Sequence, residues 1–336
     1  MRRQQTDILS QPIPVILLTF ALVVTGEVVR ALTSPIGAEG VEGVLSPVGV
    51  WIDGLCGGVV AAIAGVLILL MGSLMLTRII GRYSLSVIRS FVPMVLFAIC
   101  VCGVLFPIGS PALFLAVLMI IHATELMIMS FKRTERFGEV MRAAFWTGMA
   151  ALLVPDMVYV VVLLPIQWLI WQRSPREMVA GVIMLLLPLL PASFCYWVAG
   201  ESPLWLIEEW GRGLSLLTMP DFGGVVESCG GVMATILLGT LVLLTLASIV
   251  LFLGGFTSMR LRARKGHIYF TLLYLVSILL LLFGVPAVVV VPIMGFASVP
   301  LIHTFLVRRK GAVGVVIYIT IVLLTLVAAL LPQFGF

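Results

Sequence analysis

The chain has 336 residues, of which 62% are hydrophobic and 10% charged. Soluble domains run near roughly 45–50% apolar and about 25% charged, so this composition excludes a soluble globular fold. The net charge is +5, but no stripe of Lys and Arg stands outside short loops, which excludes a nucleic-acid-binding surface.

Apolar runs bounded by charge then follow one another along the chain. The first, 13–33, comes after MRRQQTD. Its apolar part is too long for a signal peptide and holds Glu27 and Arg30 where small residues should precede a cut, so it is read as an uncleaved span. The next runs are 55–77, 91–106 and 111–130. A short pair follows at 143–155 and 157–172, a hairpin of half-buried helices or two shielded spans. The chain continues with 179–199, 231–256, 268–284, 287–306 and 312–331. A span needs roughly 20 apolar residues. The expected fold is therefore all-α, a single polytopic transmembrane bundle over 1–336 with about 11 spans (10–12).

Connections between these runs differ in kind. FPIGSP at 106–111, VPD at 154–156 and GVP at 284–286 are tight proline turns that set antiparallel neighbours. Two connections are longer, 34–54 and 200–230. The second contains PLWLIEEWGRGL, a pattern that predicts a helix lying in the membrane interface with Trp205 and Trp210 at headgroup level. Pro188, Pro191, Pro286, Pro292 and Pro300 are candidate helix breaks. Gly58, Gly65 and Gly72 form a small-residue stripe for close helix packing.

Basic residues alternate by side. With the N-terminus inside, 18 of the 20 Lys and Arg residues fall on one face, leaving Arg30 and Arg212 outside. This predicts a cytoplasmic N-terminus, an outer C-terminus and a place in the cytoplasmic (inner) membrane of a bacterium. The acids fall mostly the other way, among them Glu39, Glu42, Asp53, Asp156, Glu208, Glu209 and Asp221. That segregation reads either as avoidance of an anionic inner leaflet or as an acidic outer vestibule.

The chain carries no phosphate-cradling G-x-x-x-x-G-K-[ST], no H-E-x-x-H and no G-x-S-x-G. No cofactor is expected. His122 and Glu125 share a helical face and are candidate metal or proton-relay residues, with pairing of Glu125 to Arg78 or Arg82 as the alternative. Cys56, Cys195 and Cys229 lie towards the outside and are candidates for oxidation, whereas Cys100 and Cys102 read as buried apolar residues. At the outer boundary Glu27, Asp53 and Asp156 are the candidate catalytic acids. Arg30, Arg212, Glu208 and Glu209 are the candidate substrate-binding groups. They are expected to meet in one outer cavity.

GRYSLSVIRSFVPMVLF (81–97), FKRTERFGEVMRAAFWTGMAALLVPDMVYVVVLLPIQWLIW (131–171) and SPREMVAGVIMLLLPLLP (174–191) resemble an uncharacterised family of bacterial polytopic inner-membrane proteins, a domain of unknown function. The resemblance covers about residues 70–200 and implies an inner-membrane location without an activity. The middle of the chain is also distantly similar to the multi-span glycosyltransferases that use polyprenyl-phosphate sugars. That similarity implies acids in the first outer loop, where Glu27 and Asp53 stand. Three functions follow as expectations. The first is a non-catalytic component of an envelope assembly or secretion system, with membrane-protein partners. The second is a glycosyltransferase-like enzyme acting on a polyprenyl-linked sugar at the outer face. The third is a lipid or small-solute transporter or flippase. Membrane lipids are partners in all three.

Overall fold

Ser-Pro dipeptides start several helices, for a local reason. Proline holds the preceding residue extended, and the serine hydroxyl then accepts from the first turn of the helix. Ser46 sits at φ −67° and ψ 162° and accepts from the Gly49 N–H. Ser110 accepts from the Leu113 N–H. Ser174 accepts from the Glu177 N–H while Glu177 accepts from the Ser174 N–H, a reciprocal capping box.

The computed structural model describes residues 12–33, 44–56, 59–86, 90–104, 110–131, 137–198, 200, 202–215, 232–256, 259–308 and 312–330. Among them the chain is α-helical without strands. The helices are α1 (Pro12–Thr33), α2 (Pro47–Leu55), α3 (Val59–Arg82), α4 (Val92–Val104), α5 (Pro111–Ser130), α6 (Phe137–Leu153) and α7 (Val158–Ile170). They continue as α8 (Pro175–Leu186), α9 (Leu189–Val198), α10 (Trp205–Ser215), α11 (Val232–Gly254), α12 (Leu261–Leu282), α13 (Ala287–Arg308) and α14 (Ala312–Leu330). Among the described residues six helical stretches are long and apolar enough to cross a membrane, by length and composition. They are α3, α5, the α8–α9 pair, α11, α12 and most of α13.

Two helices form the interior. Along 287–306, α13 is buried throughout, and it packs on α12, α4 and α11. In the other half α5 is buried on nearly every side by α6 and α3. Between these two hubs stands α4, in contact with α1, α3 and α13. Two crossings bring backbones together where glycine removes the side chain. A Cβ on Gly148 of α6 would lie 2.3 Å from the Leu185 carbonyl oxygen of α8. One on Gly295 of α13 would lie 2.7 Å from the Cys100 Cβ on α4. Gly65 and Gly72 of the small-residue stripe are buried, Gly72 against Phe97 and Ile121, and Gly58 lies outside the described residues.

Several expectations are corrected. The run 179–199 divides into α8 and α9 at Leu187 and Pro188, one of the candidate breaks, whereas the candidate Pro191 lies inside α9. Conversely α13 runs unbroken through Pro292 and Pro300, buried among its neighbouring helices. The pair around 155 is two helices, with α6 starting six residues earlier than the apolar run and a 3-10 turn, Pro155–Met157, joining it to α7. Trp205 and Trp210 pack on Leu152 and Leu189, so α10 is docked on the bundle through its tryptophans. The Trp210 Nε1–H donates to the Ala151 carbonyl at 3.4 Å, while Ile207 of α10 is exposed. Cys56 and Cys195 are free thiols, and Cys229 lies outside the described residues.

Candidate functional site

Contacts between helix ends sort the polar groups into two layers, one at each end of the bundle. The expected outer site lies in the layer of the acids. The side chains of Glu27, Arg30 and Arg212 lie outside the described residues. Asp53, near the end of α2, is aimed at the start of α5, where its Oδ1 accepts from the Ala112 N–H at 2.8 Å. That bond satisfies one of the orphan N–H groups of a helix start, so Asp53 closes α2 onto α5. The short helix α2 is itself held against α6, the Ser46 N–H donating to the Leu153 carbonyl at 3.0 Å. Glu208 is turned aside and accepts from the Ser202 hydroxyl at 3.2 Å.

Among the described members of the set, Asp156 and Glu209 come together. Docking of α10 on the Pro155–Met157 turn brings the Glu209 charge towards Asp156. Burial, with that like charge added, pushes the Asp156 carboxyl up to about 6. Such a carboxyl can hold a proton near neutrality and release it. The sequence signal for this pairing, E-E beside two tryptophans, was legible only as an amphipathic helix.

A richer layer lies at the opposite end, where the arginines gather. Arg78 on the last turn of α3 reaches Glu125 on α5, Nη2 to Oε2 at 2.5 Å. The Glu125 side chain is 5% exposed and that of Arg78 is 54% exposed. A buried carboxylate left alone would be very costly, and one arginine offsets that cost. His122, one turn earlier on α5, does not join the pair. Its ring meets Trp146 of α6 edge-on with centroids 5.7 Å apart. Among the described residues no group of three or more His, Cys, Asp and Glu side chains could hold a metal ion.

Further contacts knit the same end. Arg173 donates to the Ser130 carbonyl at the end of α5 and pairs with Glu177. His267 on α12 bonds the Leu85 carbonyl through Nε2 at 2.9 Å. Lys265 lies 4.8 Å from the centre of the Phe131 ring, and Arg262 lies over both Tyr83 and Phe131. Ser90, before α4, bonds His303 Nε2 of α13 at 2.7 Å. Sequence reading missed His267 and His303 as tertiary contacts because His267 closes a basic segment and His303 stands alone in an apolar run. Beside them a cleft of about 760 Å³ opens along α3. Met71, Leu74, Met75 and Phe91 line its apolar length, and Arg78, Arg82 and Ser90 stand at its polar end. No family model, no curated protein and no solved structure matches this chain.

Proposed function

We propose that this chain is a non-catalytic integral component of a bacterial envelope assembly or secretion system. In this reading it crosses the cytoplasmic membrane 11 times, with the N-terminus cytoplasmic and the C-terminus outside. The observation that carries the reading is the use made of the polar side chains. Asp53 caps α5, Glu125 pairs with Arg78, Glu177 caps α8 and Arg173 binds the end of α5. Groups that would do chemistry in an enzyme are here tied to helix ends, as a scaffold requires. Orientation rests on the layer of arginines at one end, which the positive-inside rule places in the cytoplasm.

Gentle solubilisation of the membrane-embedded protein tests the function: a stoichiometric protein partner is the expected result. A lone chain active in sugar transfer overturns it. Orientation is tested by Arg262→Cys, which an impermeant thiol reagent should leave unlabelled in intact cells; labelling from outside reverses the topology.

A second reading, a glycosyltransferase-like enzyme using a polyprenyl-linked sugar, is favoured by Asp156 beside Glu209. A half-buried carboxyl titrating near 6 suits proton transfer at a sugar hydroxyl. Under that reading Asp156→Asn abolishes transfer without lowering protein abundance.

A further inference from the structure

The cleft along α3 joins an apolar groove to a cationic end, a shape that neither reading above uses. Its apolar stretch from Met71 to Leu74 is half-exposed, with the two side chains 55% and 50% accessible. From Met71 to Arg82 the helix rises about 16 Å, comparable with one lipid acyl chain. At the polar end Glu125 engages Arg78 through Nη2, and a guanidinium has five N–H donors. Arg78 therefore keeps donors for the cleft that it lines. Arg82, one turn on, is exposed at the same mouth and adds a positive charge.

Ser90 supplies a third donor through His303. The His303 ring is wholly buried, and its Nδ1 has no partner. A buried N–H without an acceptor is costlier than a bare ring nitrogen, so the proton is assigned to Nε2. Nε2–H then donates to the Ser90 oxygen, and the Ser90 O–H is not consumed by that bond and can serve the cleft that Ser90 lines.

We propose that this cleft binds an anionic phospholipid, its phosphate held by Arg78, Arg82 and Ser90 and one acyl chain laid along Met71, Leu74, Met75 and Phe91. Charge complementarity selects this occupant over a zwitterionic lipid, and the apolar groove selects it over a soluble phosphate. The site stands whether the protein is a scaffold or an enzyme.

The test uses the full chain, delipidated in detergent, with native mass spectrometry of bound lipid. Phosphatidylglycerol and phosphatidylcholine of identical chains are compared, with glycerol phosphate as a competitor. Phosphatidylglycerol is expected to be retained preferentially, and Arg82→Gln to weaken it about fivefold, the effect of one cation near an anionic headgroup. Leu74→Trp should weaken both lipids by filling the groove. Arg78→Lys keeps the Glu125 pair and should give a loss smaller than that of Arg82→Gln. Ser90→Ala serves if Arg82→Gln fails to accumulate, with the same direction of change. Equal retention of the two lipids, wild-type binding in Arg82→Gln and Ser90→Ala, or displacement by glycerol phosphate would each overturn the site.

Discussion

At the basic end Arg78 spans from α3 to Glu125 on α5, and Arg173 spans from the turn after α7 to the Ser130 carbonyl. At the acidic end Asp53 caps α5 at 2.8 Å, whereas Asp156 meets the like charge of Glu209. The difference follows from side-chain length. An arginine reaches a buried partner while its remaining donors stay in contact with water or headgroups. An aspartate has no such reach, so the backbone must aim it, and it either caps a helix or is stranded. One end therefore ties helices together and keeps cationic charge available. The other spends its acids or desolvates them.

The contrast breaks first at Arg78. Arg78→Leu strands the Glu125 carboxylate and should cost about 3 kcal/mol, the range for a buried pair that loses one partner. Arg78→Leu with Glu125→Leu should recover most of that loss. Thermal unfolding in detergent measures both, and equal instability of the single and double variants would contradict the buried-pair account.

Asp156 tests the other end through pH. Its folded carboxyl titrates near 6, above the ordinary 3.8. The favourable contribution is therefore fully present below about pH 4 and is lost as pH rises through about pH 6. Asp156→Asn should raise the unfolding temperature at about pH 7 and change it little at about pH 4. A parallel shift at both pH values would mean that the carboxyl is not desolvated.

Smaller still is the cap. Asp53→Ala should cost about 1 kcal/mol, and Asp53→Asn, which keeps the acceptor, only a few tenths. Trp210→Phe, which keeps the packing on Leu152 and Leu189 and removes the bond to Ala151, should cost about 0.5 kcal/mol. Tryptophan fluorescence and unfolding temperature together separate this change from detachment of α10.

Sequence patterning determined the class of the fold and the place of its helices. Hydrophobic runs long enough for a bilayer mark helices because the lipid core leaves no other way to satisfy the backbone. The segregation of Arg from Asp and Glu likewise follows from composition along the chain. The Arg78–Glu125 pair was legible as one of two alternatives, since α3 and α5, with one crossing between them, run parallel and bring their C-terminal ends to the same face. The use of Asp53 was not legible, because α2 is a short helix of nine residues whose direction is set by contact with α5 and α6. Nor was the Ser90–His303 bond, which joins residues 213 positions apart.

Composition by itself therefore determined that the chain is a helical membrane protein with its cations segregated from its acids, because those properties depend only on local hydrophobicity and charge. Only the tertiary structure decided which helix is buried, which acids are spent as caps and where a cationic cleft remains open. Those depend on which helices become neighbours, and in an almost uniformly apolar chain any helix face could serve as an interface. Close approaches such as Gly148 on Leu185 and Gly295 on Cys100 select among them.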